Sequence, residues 1–345
     1  MTQICVVGAG AAASALAFVV DRRVPDVEVT ILEKSRGVCG RAATRRRGDV
    51  TYDYGANYLR SDDDRVAELV TNALDDDGLV DVPEPVWTFD RDGVVSEGRA
   101  GDGRKWTYRR GLTQLAKRLL AATGATIHRG TRVERLERVD GRWRLTDADG
   151  TTWGPFDALV LNPPAPQTAA LLETADRDAP IGADLVDAVA AVPYRTVWTA
   201  VLGYPFELER PYYALVNDDK AHAVGWIARE ACKPGHVPDG ESVLVVQANH
   251  EWSTNRYDAP AAANVAELAE ATAAILDDER LVDPDWTDHQ GWRYALPEAA
   301  VDPEPLREAE SHGLYAVGDW VAGEGRLHAA LGTGLEVGDR LADRC

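Results

Sequence analysis

The sequence predicts an α/β protein of two interleaved parts: a discontinuous domain built on a βαβ unit, and an inserted α+β domain on a mixed, largely antiparallel sheet. Three observations lead there. The chain opens with strand, glycine turn, helix and strand in its first 33 residues. Its middle, from Tyr194 to His250, is mostly short strand-like runs. Its C-terminus returns to one strand followed by a long helix. A length of 345 residues suits two modest domains. The first domain is assigned residues 1–60, 105–165 and 308–345, and the second 61–104 and 166–307.

Gln3–Val7 is an apolar run of strand length, and Gly8–Ala13 is a glycine-rich turn. Ser14–Asp21 continues as an Ala-rich helix, and Glu28–Leu32 alternates as a second strand ending at Glu33. Ser61 caps the next helix, which has acids in its first turn, Val66, Leu69, Val70 and Leu74 on its apolar face, and Gly78 at its end. Val80–Gly103 is rich in Pro, Gly and Asp with short strands, as in an inserted lobe. Leu112–Ala122 is helical by the spacing of Leu112, Leu115, Ala116, Leu119 and Leu120.

Thr126–His128, Arg132–Val139, Trp143–Thr146 and Ala158–Leu161 read as strands, with hairpin turns at Asp140-Gly141 and Asp149-Gly150. The run Asn162-Pro163-Pro164-Ala165-Pro166 cannot continue a central strand, so the chain leaves the sheet there. Further strands fall at Thr196–Leu202, Tyr212–Val216, Ala223–Ala228 and Ser242–Asn249. A helix follows Asp258 and Pro260, with Val265, Leu268, Thr272 and Ile275 on one face. A strand through Trp292 to Leu296, another at Gly313–Val317 and a helix at Leu327–Leu341 complete the chain.

Composition narrows the function classes. The formal charge is −20, with Lys only at positions 34, 105, 117, 220 and 233. Such a surface disfavours nucleic acid and anionic lipid. It suits the hydrated carboxylate coat of a protein from a salt-rich cytoplasm. The four cysteines, Cys5, Cys39, Cys232 and Cys345, have no paired spacing, and the seven His no metal-ligand spacing, so a reducing cytoplasm and no metal are expected. Residues 1–20 carry no charged side chain, yet the basic pair Arg22-Arg23 comes after the apolar run instead of before it. With Gly8 and Gly10 interrupting that run, it reads as neither signal peptide nor membrane span.

Gly8-Ala9-Gly10-Ala11-Ala12-Ala13 has the G-x-G-x-x-A form of the Rossmann-type dinucleotide fingerprint. Gly8 permits the tight turn, Gly10 lets a pyrophosphate approach the backbone, and Ala13 allows close helix–strand packing. The helix N-terminus offers unpaired N–H groups to the phosphates. Glu33, just past the second strand, can accept from the adenosine ribose hydroxyls. NAD and FAD both fit this unit. Gly332, Gly334 and Gly338 inside the last helix would each cost about 1 kcal/mol relative to Ala unless something approaches closely.

Ser35-Arg36-Gly37-Val38-Cys39-Gly40-Arg41, followed by Asp53-Tyr54-Gly55-Ala56-Asn57-Tyr58, resembles the G-G-R and D-x-G-A segments of glutathione-reductase-type FAD proteins. Cys39 stands where the family has its first Gly. Leu314-Tyr315-Ala316-Val317-Gly318-Asp319-Trp320 is similar to the C-terminal segment of the same families, whose carboxylate lies near the ribityl chain. Thr131-Arg132-Val133-Glu134-Arg135-Leu136 resembles the strand whose Val backbone meets the adenine, and Asn162 stands where the chain crosses between domains. The whole is most similar to bacterial renalase-like proteins of the amine oxidase branch, on the short insertion after Tyr58, Tyr108–Leu112, Trp226–Arg229, Lys233-Pro234-Gly235 and Gly291–Pro297.

That resemblance implies bound FAD held by Gly8, Gly10, Ala11, Ala12, Ala13, Glu33, Lys34, Gly40, Arg41, Asn57, Val133, Asn162, Gly318, Asp319 and Leu327. It implies a dihydronicotinamide dinucleotide isomer as hydride donor and oxygen as acceptor. An amine oxidase, an isoprenoid desaturase and a flavin-free lipid-escort protein on the same fold are the alternatives. Tyr58, Trp292 and Tyr294 are either aromatic walls facing the flavin or ordinary core. Arg293 meets a substrate phosphate or pairs with a surface acid. The histidines are scattered, and a lone His is more often a surface or packed residue than a catalyst; His328, at the start of the last helix, is the one to test against the site. The flavin carries the hydride chemistry, so no base is obligatory.

Overall fold

In the computed structural model, which describes residues 1–98, 103–175 and 181–345, five parallel strands form the sheet of the N-terminal half. Their order is Thr126–Arg129, Val27–Glu33, Thr2–Val7, Ala158–Leu161 and Leu314–Ala316. Parallel strands covered on both faces read as apolar runs, which is why Ile4–Val7 and Leu159–Leu161 carry no polar side chain. Ile4, Val6, Ile31 and Val160 pack on the first helix (Ala11–Arg23), on Thr113–Ala121 and on the last helix (Leu327–Ala342). Their alternates Cys5, Val7, Leu32, Leu159 and Leu161 face a three-stranded meander, Val133–Val139, Arg142–Asp147 and Thr152–Phe156. The helices Ala165–Leu172, Ala183–Ala190 and Pro303–Glu310 join that second layer.

A seven-stranded sheet builds the other half, in the order Trp286–Pro297, Tyr194–Tyr204, Ser242–Ala248, Val224–Arg229, Ala214–Asn217, Val86–Phe89, Val95–Ser96. Every pairing is antiparallel except Ala214–Asn217 with Val86–Phe89. Trp198, Ala200, Leu202, Leu244 and Val246 pack on the helix Ala261–Leu276. Val201, Val243, Val245 and Ala228 point the other way, toward Val50 and Tyr52 of the hairpin Thr44–Asp53. The period-2 alternation of these strands thus gives one face to a helix and the other to the domain junction.

Several expectations need correction. The first helix begins at Ala11, three residues before Ser14, because extended Gly10 already forms its cap. Asp63, and not Ser61, caps the helix Asp64–Glu68 by accepting from Val66 N at 2.9 Å. That helix continues as a wider turn over Leu69–Ala73, and Gly78 lies beyond it. Its Val66, Leu69 and Val70 pack with the first helix, whereas Val82 and the strand Val86–Phe89 lie with the sheet half. Likewise Ala169, Leu172, Leu185 and Val189 sit in the core of the N-terminal half although they follow residue 166. Part of the Val80–Gly103 lobe, residues 99–102, lies outside the described residues. No helix among the described residues is long and apolar enough to cross a membrane.

Candidate cofactor site

Gly8, at φ +94°, turns the chain out of the first strand while its N–H donates to Leu32 O at 2.8 Å. Gly10 N donates to Asn162 Oδ1 at 3.0 Å, and Asn162 Nδ2 donates to Val317 O at 3.0 Å. One amide side chain thus ties the glycine turn to the end of the last strand. A Cβ on Gly10 would lie 2.3 Å from Asn162 Oδ1 and would push that amide off Gly10 N. Ala11, Ala12 and Ala13 form the first turn of the helix, which has no side-chain cap. That leaves an electropositive N-terminus at the turn.

Glu33 is buried and accepts from Ala9 N at 2.7 Å and Ser35 N at 2.6 Å. Lys34 stands exposed beside it and donates to Gln167 Oε1 at 3.2 Å. Val133, half-buried, opens the meander, next to Thr131, whose N–H bonds Glu33 O at 2.9 Å. Cys39 keeps the left-handed backbone of the Gly it replaces, at φ +80°, and its N–H bonds Ala9 O at 2.8 Å. Its thiol is buried, and burial pushes it up to about 12. Gly40 follows at φ +56°. Arg41 donates to Asp319 Oδ1 at 2.7 Å and to Ala295 O at 2.8 Å.

Gly318 takes φ +143° ahead of Asp319. Thr333, which sequence reasoning misses, holds this turn from nearly two turns inside the last helix: its Oγ1 accepts from Gly318 N at 3.1 Å. Leu327 is the buried first residue of that helix. Gly334 lets the last helix meet the first, since a Cβ there would lie 2.1 Å from Ala12 O.

Asp53 leads into the segment Tyr54–Tyr58, which runs between the two halves. Ala56 N donates to Arg41 O at 2.9 Å, Gln247 Nε2 to Gly55 O at 2.8 Å, and Trp292 Nε1 to Tyr54 O at 3.3 Å. Trp292 stacks on Tyr54, centroids 5.3 Å apart, and Tyr294 meets Tyr194 edge-on at 5.7 Å. Tyr58 contacts Tyr213 and Trp226 at 6.1 and 6.3 Å. Burial raises the Tyr58 phenol above its ordinary range.

Trp292 faces this segment, and Tyr294, two residues on across an irregularity in the strand pairing, faces Tyr194. Arg293 points to the other face, over the Tyr257 ring at 4.1 Å and 3.8 Å from Asp258 Oδ1. It pairs with a surface acid and does not join the aromatic group. His328 is buried, 3.7 Å from Glu324 Oε2.

The residues fit a dinucleotide bearing a flavin. Gly10 lies against the Asn162 amide and Gly55 against Arg41 O, where a Cβ would come within 2.0 Å, so the backbone at both turns is packed without side chains. Asn57 Oδ1, in the segment between the halves, is buried without a hydrogen-bond partner among the described residues, as are Trp226 Nε1 and Thr199 Oγ1 on the facing sheet. FAD would be held by Gly10, the first helix N-terminus, Glu33, Gly40 and Asp319. One group has metal-ligand spacing among the described residues, Asp53, Glu230 and His236. The Lys233 ammonium already lies 3.1 Å from Asp53 and 2.7 Å from Glu230 there, which leaves a cation no place.

Comparison with known proteins gives the same picture. Residues 6–73 match a family model for an NAD(P)-binding Rossmann-like domain. Residues 95–342 match the family model of flavin-containing amine oxidoreductases. A candidate protoporphyrinogen oxidase from Exiguobacterium sp. 255-15 has the same fold at TM-score 0.80 and 14% identity, over 100% of this chain and 99% of that one. A putrescine oxidase bound to putrescine aligns at TM-score 0.76 and 11% identity, over 99% of both chains. Cyclohexylamine oxidase from Brevibacterium oxydans IH-35A aligns at TM-score 0.74 and 12% identity, again over 99% of both.

Proposed function

The chain belongs to the flavin-containing amine oxidoreductase family, and from that premise we propose that it oxidises a dihydronicotinamide dinucleotide carrying its hydride at the wrong ring position, with dioxygen as acceptor. It is an FAD-dependent oxidoreductase. In the proposed reaction the donor loses a hydride as its C–H bond breaks and its ring becomes aromatic. Dioxygen takes up those two electrons, the hydride's hydrogen and one solvent proton to give hydrogen peroxide. Bound FAD supplies the hydride-accepting atom, N5, and carries the electrons between the two.

The observation that carries this reading is the charge of the aromatic face. Asp288 is held by Arg45 at 2.9 Å and by the Tyr52 hydroxyl at 2.7 Å, and Asp319 by Arg41 at 2.7 Å. Both carboxylates beside Trp292 and Tyr294 are therefore answered, and that face suits a flat neutral ring better than an ammonium. Tyr58, held neutral by burial, and Trp292 would align one ring edge and exclude water. Trp226 Nε1 and Thr199 Oγ1 offer unpaired hydrogen-bonding groups on the same face. No base is needed, because the ring nitrogen lone pair drives the hydride out.

Amine oxidation is the second reading, favoured by the family match and by likeness to the amine oxidases above. Rapid mixing of the Trp292→Ala variant separates positioning from scaffolding. Hydride transfer requires the reacting atoms within about 3–3.5 Å in an aligned pose, whereas reoxidation by oxygen does not. The variant is expected to slow flavin bleaching by the donor far more than reoxidation. Equal losses in both half-reactions would show that Trp292 holds the fold and does not align the donor.

A further inference from the structure

Four ionisable side chains, Asp53, Glu230, Lys233 and His236, lie fully buried where the two halves meet. Lys233 Nζ is 2.7 Å from Glu230 Oε1 and 3.1 Å from Asp53 Oδ2. His236 Nδ1 is 2.8 Å from Glu230 Oε2, and its Nε2 is 2.9 Å from Tyr108 O. The cluster thus sets two carboxyl groups against one ammonium and an imidazole whose two nitrogens each face an oxygen.

Ions at this depth cost several kcal/mol each to desolvate, and apolar side chains of similar volume often pack as stably. Stability is therefore a poor reason for the cluster. Its geometry supplies a connection instead. The Asp53 carboxylate gathers Thr44 Oγ1 at 2.6 Å, Leu112 N at 2.9 Å and Thr107 Oγ1 at 3.1 Å, all from the N-terminal half. Lys233, from the sheet half, reaches the same carboxylate, and Asp53 N donates to Glu230 Oε2 at 3.1 Å. Burial alone would raise Asp53, but the charges of Lys233 and then His236 hold it below the usual carboxylate range. The next five residues are the segment Tyr54–Tyr58, whose backbone is bonded by Arg41, Gln247 and Trp292.

We propose that Lys233 is a positioning residue, anchoring the Tyr54–Tyr58 segment against FAD and the substrate face through its ion pair with Asp53. It acts through Asp53 and does not touch the cofactor. The proposal concerns FAD alone and is independent of the donor's identity.

Three variants of the full chain test it, by the FAD dissociation constant from apoprotein titration, taken below each apoprotein's own thermal midpoint. Lys233→Met leaves two buried acids without their ammonium and breaks the anchor, so both midpoint and affinity fall. Glu230→Gln/Lys233→Met removes one acid together with the ammonium, so the midpoint recovers toward the parent while the anchor stays broken. Glu230→Gln alone takes one acid from Lys233 but keeps the Asp53–Lys233 pair.

The expected result is FAD binding at least ~10-fold weaker in both Lys233 variants and parent-like in Glu230→Gln, although Glu230→Gln melts earlier. Turnover should fall about 100-fold in the double variant, the loss a ~1 Å misplacement brings. FAD affinity that follows the midpoint across the set, recovering in the double variant or falling in Glu230→Gln, would overturn the proposal. Should Lys233→Met fail to fold, the double variant decides: FAD binding at least ~10-fold weaker at a recovered midpoint supports the anchor, and parent-like binding contradicts it.

Discussion

At residue scale, the cofactor cradle depends on side chains that serve the backbone as much as a ligand. Glu33 places both carboxylate oxygens on backbone N–H groups, of Ala9 and of Ser35. Charge-assisted bonds of this kind contribute about 1.5–3 kcal/mol. Glu33→Gln keeps one acceptor and turns an NH₂ group toward the other N–H. We expect FAD affinity to fall about tenfold or more, with a smaller loss of apoprotein stability, as read by titration and thermal melting. Unchanged affinity would mean that the ribose contact is made elsewhere. Cys39 is the residue where the sequence departs from its family and the backbone does not: the left-handed turn persists at φ +80°. A non-Gly residue pays about 1–2 kcal/mol to sit there, and nothing in the spacing of Cys39 announces that the geometry survives.

At element scale, the last helix carries three glycines whose surroundings differ. A Cβ on Gly334 would lie 2.1 Å from Ala12 O, backbone that cannot move aside, whereas one on Gly332 meets only Asp63 Oδ2 at 3.4 Å. Gly332→Ala should therefore gain up to about 1 kcal/mol from helix propensity. Gly334→Ala should lose about 1–3 kcal/mol by overpacking and release FAD, because the first helix N-terminus shifts with it. Equal stabilities of the two by chemical denaturation would contradict this packing. The close approach is legible in the sequence because glycines inside an apolar helical period weaken the helix unless a neighbour needs the space.

Long periodic elements and glycine turns are readable because local signals define them. The helices Ala165–Leu172, Ala183–Ala190 and Pro303–Glu310 are not, being only eight residues each and stabilised by tertiary contact. Adjacency groups Arg293 with Trp292 and Tyr294, yet on a strand neighbours point to opposite faces. Gln247 reaches Gly55 across 192 positions, and Lys233 reaches Asp53 across 180. A single sequence holds no signal for such pairings.

At the scale of the whole molecule, the charge of −20 makes self-repulsion a standing cost. Salt shortens the Debye length to about 3 Å at 1 M. The exposed ion pairs it also screens, such as Arg23 with Asp339 and Asp343, contribute about 0–1 kcal/mol each. The thermal midpoint should accordingly rise from dilute buffer to molar KCl, and a flat response would refute the salt-adapted reading. In pH, the depressed Asp53 contributes stability above its unfolded value of about 3.9, lost as pH falls through its lower folded value. The raised Lys233 contributes fully below about 10.4 and loses that contribution as pH rises through its higher folded value. The acid edge of the denaturation midpoint should therefore move upward in Lys233→Met, where Asp53 loses the charge that holds it down. The central claim, that a flat neutral ring is the electron donor, is tested most directly by anaerobic rapid mixing of the FAD-loaded protein with dihydronicotinamide isomers, with the ordinary 4-dihydro form and with putrescine. We expect the misreduced isomers to bleach the flavin fastest, the 4-dihydro form slowly and putrescine least; bleaching led by the amine would contradict the account.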